Sequence, residues 1–186
     1  MEVFWVRHTR VKVSKDICYG QSDVLLADSF NKDYQEIRKK LPQRALCYFS
    51  SLTRCSQLAK SLYHEKYLFE ENRLLEYNFG DWDGKKWNEI PEEELNPWME
   101  NFVTNRPPNG ETYIELQQRV VNFIEELRNQ NNKSPVVIIT HAGVIRSALS
   151  YLLSIPLAET FKMQFDYGFL IKTTLSETKQ MDQVFL

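Results

Sequence analysis

The chain lacks the features that mark several classes of protein. Its 186 residues contain no apolar run long enough to cross a bilayer, and the N-terminus enters an apolar strand pattern without a cleavable signal. Charge of one sign is not in excess, because 23 Lys and Arg against 25 Asp and Glu leave a net charge of −2. This balance gives no global field for nucleic acid or an anionic membrane, so we expect neither as a partner.

Cysteines are too few and too irregularly spaced for a metal or disulfide framework. Cys18, Cys47 and Cys55 are odd in number and lack metal-type spacing, which favours reduced thiols in a cytosol. A glycine-rich Walker loop, a carboxylate triad for Mg²⁺ and internal repeats are missing as well. We therefore expect a cytoplasmic protein with no metal and no cofactor.

Strand patterns and helix patterns that alternate along the chain predict the fold class. Runs at 3–6, 45–49 and 136–140 read as buried strands, and 168–175 reads as a last strand, a candidate for a sheet edge. Helical spacing of apolar residues lies between these strands, beginning with Phe30 to Leu41. The pattern predicts one domain over 1–186, a three-layer α/β/α sandwich with a mostly parallel sheet.

Two connecting segments are unusually long. Residues 10–27 form a polar loop, and long loops in compact domains are often functional. Residues 81–109 hold tryptophans and prolines and predict short helices and loop, as in a lid-like insertion. Beyond them, Thr112 and Glu115 have the spacing of a capping box that begins a helix, whereas 50–53 are rich in residues that cap the helix after the second strand.

Polar, phosphate-binding side chains follow the predicted strands. Arg7 and His8 end the first, Arg54 comes after the second, and His141 follows the third. Since the carboxyl ends of parallel strands meet at one edge, we expect these side chains to converge. Arginine forks bind phosphate oxygens in two places, and a neutral imidazole nitrogen can attack phosphorus. The arrangement predicts a pocket for a phosphate dianion.

Each of these residues alone has an ordinary structural explanation. A histidine after a strand is usually a cap or a core residue, an arginine at a helix start such as Arg54 usually lies at the surface, and a lone Glu76 would be solvated. Only their shared context favours a site.

Four segments in order resemble the signatures of the histidine phosphatase superfamily, the phosphoglycerate-mutase-like phosphatases. They are Arg7-His8-Thr9, 51–59, 75–84 and 140–146. Within that superfamily, Cys18-Tyr19-Gly20-Gln21-Ser22-Asp23-Val24 is similar to α-ribazole-5′-phosphate phosphatases of cobalamin nucleotide-loop assembly. The chain departs from its relatives at three positions that the resemblance does not mark as catalytic: Ser51 stands for proline, Leu58 for a small hydroxyl residue and Asp83 for a frequent glutamate.

The resemblance implies a phosphoglycerate mutase-like fold and a division of roles. His8 is the nucleophile that becomes phosphohistidine. Glu76 protonates the leaving alcohol and then deprotonates the attacking water. The resemblance implies that the phosphoryl oxygens are held by Arg7, Arg54, His141 and the backbone N–H of Ala142. Ser14 stands where relatives place a polar phosphate contact.

The substrate implied is a small-molecule phosphate monoester, and α-ribazole 5′-phosphate is the first candidate. The segment with Tyr19, Gly20 and Gln21 is the expected substrate loop. Stacking faces for a flat base are expected from Tyr19, Trp82, Trp87 and Phe102. The reaction is expected to be metal-independent hydrolysis. The alternatives are a phosphoglycerate mutase, a broad-specificity small-molecule phosphatase and, as a different class, a non-catalytic phospholigand-binding module. The oligomeric state is left open, a homodimer being one option.

Overall fold

The computed structural model describes residues 1–130 and 133–185. Within these ranges lies one six-stranded sheet of order β3-β2-β4-β1-β5-β6. Its strands are β1 (Glu2–Arg7), β2 (Leu46–Phe49), β3 (Leu68–Glu70), β4 (Val136–Thr140), β5 (Leu170–Thr174) and β6 (Gln183–Phe185). The helices are α1 (Phe30–Arg38), α2 (Thr53–Leu62), α3 (Glu92–Glu100), α4 (Tyr113–Asn129) and α5 (Ala142–Leu153).

Strand directions confirm a mostly parallel sheet. β1, β2, β3 and β4 run parallel to one another, whereas β5 is antiparallel to both of its neighbours, β1 and β6. The prediction of a sheet edge at the strand within 168–175 is wrong, because β5 lies between β1 and β6. The true edges are β6 and β3. Both are only three residues long and mostly exposed, so neither has the apolar run that identifies a buried strand.

The sheet is covered on both faces, which confirms the three layers. Alternate side chains of a strand point to opposite faces, and Trp5 packs in one core whereas its neighbour Val6 packs in the other. The first core holds the apolar faces of α4 and α5, and the second holds those of α1 and α2. β4 is buried along its whole length, as its unbroken apolar run predicts.

The N-cap predicted from the sequence is present at α4 but not at α2. At α4 the capping box is present, since Glu115 N–H donates to Thr112 Oγ1 at 3.1 Å and Thr112 N–H donates to Glu115 Oε2 at 2.7 Å. At α2 the N-cap is Leu52, whose side chain makes no capping hydrogen bond. The carboxylate of Asp23 instead accepts the N–H of Thr53 at 2.8 Å. A residue from the long polar loop therefore replaces the expected local cap.

The segment 81–109 is attached to that same loop. Cys18 N–H donates to Lys85 O at 2.8 Å, and Gly84 N–H donates to Cys18 O at 2.7 Å. Trp82 is buried, which fixes the segment to the core. Its lid-like role and the single-domain organisation stay predictions. No helix in the described parts of the chain has both the length and the apolarity that a bilayer crossing requires.

Candidate active site

The side chains that follow β1, β2 and β4 meet at the carboxyl edge of the sheet. β1 and β4 are parallel neighbours in which Arg7 pairs with Thr140, so His8 and His141 leave the sheet side by side. Their ring centroids are 5.2 Å apart. Arg54, in the first turn of α2, places its Nε 3.3 Å from His141 Nδ1. The convergence predicted from the strand ends is confirmed.

His8 has a defined tautomer. Its Nδ1 lies 2.7 Å from Thr9 O, and because a carbonyl oxygen only accepts, Nδ1 carries the proton. Burial, followed by the Arg54 and Arg7 charges, holds the pKa of His8 well below its ordinary value. The ring is therefore neutral near pH 7 and leaves Nε2 with a free electron pair.

Arg54 is fully buried, so it is not the surface arginine that its position alone suggests. Its Nη1 donates to Ser22 O at 2.8 Å and its Nη2 donates to Gly20 O. Its Nε donates to His141 Nδ1. The guanidinium is thus fixed in plane by two loop carbonyls and an imidazole.

His141 has both ring nitrogens engaged. Since Nδ1 accepts from Arg54, the proton lies on Nε2, which donates to Ser50 Oγ at 2.8 Å. Burial, followed by the Arg54 charge and the nearby His8, lowers the pKa of His141 well below its ordinary value. This neutral ring has a single N–H, which Ser50 Oγ accepts.

Arg7 lies against Tyr167, a residue that the sequence analysis missed. The guanidinium carbon is 4.1 Å from the centre of the Tyr167 ring, and Nη1 donates to Phe165 O. Arg7 Nε is buried and has no hydrogen-bond partner among the described residues. The Tyr167 ring also lies 5.5 Å from that of His8, and its hydroxyl is 2.8 Å from that of Tyr19. No local pattern marks Tyr167, because only the antiparallel placement of β5 brings it beside β1.

Glu76 faces the start of α5. Its carboxylate accepts the N–H of Tyr77 at 2.9 Å and that of Gly143 at 3.3 Å. A Cβ on Gly143 would lie 2.4 Å from Glu76 Oε1. The glycine therefore leaves the space that the carboxylate occupies.

The backbone of Glu76 is held by a second missed residue, Arg119. Its guanidinium donates to Glu76 O at 3.0 Å and to Leu75 O at 2.7 Å, and it pairs with Glu111 at 2.8 Å. Gln21 Nε2 donates to the same Glu76 carbonyl at 2.9 Å. Arg119 lies on the partly exposed side of α4, where a charged residue is the usual choice, so its sequence context carries no signal.

The remaining predicted substrate contacts are placed unequally. Tyr19 lies beside Tyr167, and the N–H of Ala142 belongs to the first turn of α5, where helix N–H groups have no intrahelical partner. Gly20 contributes its carbonyl to Arg54, and Gln21 turns toward Glu76. Ser14 is exposed and hydrogen-bonds Asp16. Substrate contact by these residues stays a prediction.

The charge of the site suits a dianion. Neither Arg7 nor Arg54 makes an ion pair with a carboxylate in the described ranges, so both guanidinium charges are available to phosphoryl oxygens. Among residues 1–130 and 133–185, no cluster of three or more His, Cys, Asp or Glu is arranged to hold a metal ion.

Comparison with known proteins agrees with this geometry. A family model for the histidine phosphatase superfamily, branch 1, matches residues 3–182. The chain belongs to this superfamily. As a histidine phosphatase, it is a phosphomonoesterase of that type.

Histidine phosphatases similar to it differ in the substrates that their names state. The α-ribazole phosphatase from Shigella flexneri has a structure that matches with a TM-score of 0.88 and 21% identity, over 100% of this chain and 95% of that one. Phosphoserine phosphatase 1 of Hydrogenobacter thermophilus is 26% identical over 79% of this chain and 73% of its own length. The adenosylcobalamin/α-ribazole phosphatase of Escherichia coli is 23% identical over 63% of this chain and 63% of its own length.

Proposed function

We propose that this histidine phosphatase hydrolyses its substrate through a phosphohistidine formed on His8. The observation that carries the proposal is the tautomer of His8, whose Nδ1 proton is held by Thr9 O while Nε2 keeps its electron pair. A neutral imidazole beside two arginines without carboxylate partners is suited to attack on a phosphate dianion.

In the first step, the Nε2 electron pair of His8 forms a bond to phosphorus as the bond from phosphorus to the alcohol oxygen breaks. Glu76 gives its proton to that oxygen, so the alcohol leaves neutral. Arg7 and Arg54 hold the phosphoryl oxygens in line. The Nε2–H group of His141 leaves its hydrogen bond to Ser50 Oγ and donates to one of these oxygens instead.

In the second step, water attacks the phosphorus of phosphohistidine. Glu76, now ionised, takes a proton from the water, and the electrons of the phosphorus–nitrogen bond return to Nε2. The products are inorganic phosphate and the original enzyme, with Glu76 protonated again. Since Gly143 N–H contacts Glu76, the acid is placed at the start of the helix that follows His141.

Trapping the intermediate tests the mechanism. Protein mixed with a ³²P-labelled ester and quenched in alkali should carry label that is lost in acid. His8→Ala should remove this label, whereas His64→Ala, a change at an exposed histidine outside the site, should retain it. Label that persists in His8→Ala would assign the nucleophile to another residue.

For the substrate, we propose α-ribazole 5′-phosphate. Two features support it: the segment from Cys18 to Val24 is similar to phosphatases of that substrate, and two α-ribazole phosphatases are among the relatives. The hydroxyls of Tyr19 and Tyr167 meet beside Arg7, and the ring of Tyr19 supplies an aromatic face for a flat base. Stacking of this kind contributes about 1–3 kcal/mol.

One observation favours a second candidate, a phosphate ester whose alcohol carries another negative charge. Arg146 lies three residues after Gly143 and therefore on the helix face that meets Glu76. It donates to Met163 O at 3.2 Å, and its guanidinium carbon is 5.1 Å from the ring centre of Phe161 and 5.0 Å from that of Phe165. Its Nε is buried without a hydrogen-bond partner in the described ranges. The carboxylate of phosphoserine, the substrate named for one relative, would match this charge.

A phosphate-release panel separates the candidates. We expect α-ribazole 5′-phosphate to have a higher kcat/KM than nucleotides, sugar phosphates, phosphoglycerates or phosphoserine. A preference for phosphoserine that Arg146→Met abolishes, with turnover of p-nitrophenyl phosphate retained, would select the second candidate. Phosphoryl transfer that depends on 2,3-bisphosphoglycerate would identify a mutase, and no turnover of any ester would indicate a binding module.

A further inference from the structure

Asp83 belongs to the segment 81–109 and not to the group of residues that meet at His8. Its carboxylate nevertheless accepts three successive backbone N–H groups of the polar loop: Gly20 at 3.2 Å, Gln21 at 2.7 Å and Ser22 at 3.1 Å. Hydrogen bonds to an ionised acceptor are stronger than neutral ones. The carboxylate therefore fixes this stretch of loop backbone.

The same loop residues hold Arg54 from the other side. Gly20 O and Ser22 O accept from Nη2 and Nη1 of Arg54. Each of these two residues thus turns its N–H to Asp83 and its C=O to the guanidinium. The C=O of Gly20 and the N–H of Gln21 belong to one peptide group, which therefore contacts Arg54 and Asp83 at once. A rotation of that group would disturb both contacts, so the position of Asp83 is coupled to the plane of Arg54.

The loop has little freedom to shift and restore these bonds. Gly20 is packed so closely on Tyr77 that a Cβ would lie 2.0 Å from Tyr77 O. On the N-terminal side, Cys18 is paired with Gly84 and Lys85. Beyond the loop, Arg54 Nε extends the chain of contacts to His141 Nδ1.

We propose that Asp83 is a positioning residue for phosphoryl binding: it holds the Gly20–Ser22 backbone so that two carbonyls orient the Arg54 guanidinium. This inference rests on the proposed function because it takes Arg54 as a ligand of the phosphoryl group. If Asp83 were only a structural contact, its loss would lower stability and leave the affinity of folded protein for phosphate unchanged.

The test compares Asp83→Ala, Asp83→Asn and Asp83→Glu in the full chain. The control is Asp81→Asn, an exposed carboxylate two residues away that accepts from Asn109. Inorganic phosphate is the probe, with its affinity measured by calorimetry and as a competitive inhibition constant, beside kcat, KM and melting temperature. We expect Asp83→Ala to weaken phosphate binding and lower kcat/KM by about tenfold to a hundredfold, as misplacement of a clamping group does.

The conservative variants keep the proposal falsifiable if Asp83→Ala folds poorly. Asp83→Asn retains one carbonyl acceptor and should lose less than Asp83→Ala, and Asp83→Glu should recover part of the phosphate affinity. Wild-type affinity in Asp83→Asn and in folded Asp83→Ala, or an equal loss in Asp81→Asn, would overturn the proposal. A wild-type protein that binds inorganic phosphate but hydrolyses no ester would refute the proposed function alone, and the phosphate affinities would still decide the role of Asp83.

Discussion

At the scale of single residues, the two buried imidazoles are held neutral. His8 and His141 lie in the interior beside two guanidinium groups, and burial is the largest cause of the lowered pKa in both cases. An imidazolium in either position would be desolvated and repelled. The neutral forms serve the chemistry, since His8 needs a free electron pair and His141 a single directed proton.

The lowered pKa of His8 predicts a pH dependence of stability. The unfolded chain takes up a proton on His8 near pH 6.5, whereas the folded protein resists protonation until a much lower pH. Below pH 6.5 the unfolded state therefore binds more protons, and the free energy of unfolding falls as the pH falls. Relative to His8→Asn, the wild type should lose about 1 kcal/mol between pH 6.5 and 5.5.

Urea denaturation of both proteins at several pH values measures this difference. The comparison cancels the contribution to the free energy of unfolding from carboxylates that titrate equally in the two proteins. Circular dichroism checks that the variant is folded. Parallel curves of unfolding free energy against pH would show that His8 protonates equally in the folded and unfolded states, contrary to its burial.

Which site residues the sequence predicts depends on how they are positioned. Arg7, His8, Arg54 and His141 directly follow strands or begin a helix, so sheet topology alone brings them together. Tyr167, Asp83 and Arg119 reach the site through contacts between distant loops and helices. No period or cap in the local sequence distinguishes Tyr167 or Arg119, and Asp83 lies within the 75–84 segment at a position that the resemblance does not mark as catalytic.

At the scale of elements, the start of α5 depends on the absence of a side chain at Gly143. Gly143→Ala should add helix propensity of about 1 kcal/mol, but its Cβ would lie 2.4 Å from Glu76 Oε1. The carboxylate must move, so we expect kcat to fall by about tenfold or more. The loss should be largest for esters with poor leaving groups, which most need a proton. The measurement is kcat against the pKa of the leaving alcohol.

Gly84→Ala is the matched control for that substitution. A Cβ at Gly84 meets nothing within 4 Å, although φ is +88°, so the change strains the backbone without touching Glu76. It should lower the melting temperature and leave the leaving-group dependence unchanged. The same dependence in Gly143→Ala and wild type would mean that Glu76 does not act as the acid from its observed position.

Strands and helices were predictable where apolar periodicity was strong. β4 is buried throughout, and α4 has both a capping box and an apolar face, so each was found. β3 and β6 were missed because short, exposed edge strands carry no alternating pattern. The start of α2 was assigned to local caps because a cap supplied by Asp23, 30 residues away, has no local signature.

At the scale of the whole molecule, the site residues and the contacts of the C-terminal segment lie at opposite ends of the strands. His8 and His141 lie at the carboxyl edge of the parallel strands. At the opposite end of these strands, the beginning of β1 pairs with the end of β5, with Glu2 opposite Thr174. There the C-terminal segment beyond β5 contacts α4, because Arg128 pairs with Asp182 and donates to Ser176 O. Changes at this second end should therefore alter stability without altering the reaction.

The ion pair between Arg128 and Asp182 tests this separation. Its side chains are 5% and 1% exposed, and both carboxylate oxygens accept from the guanidinium, at 2.7 and 2.8 Å. Asp182 also accepts the N–H of Ser176 at 2.8 Å. Asp182→Asn removes the charge that accepts two of the guanidinium hydrogen bonds, but Glu125 still pairs with Arg128 at 3.2 Å. We therefore expect a cost of about 2 kcal/mol of unfolding free energy, or roughly 2–4 °C in melting temperature for each kcal/mol. The kcat and KM of folded protein should stay at wild-type values, and a fall in kcat equal to that of Gly143→Ala would show that the two ends of the strands are energetically coupled.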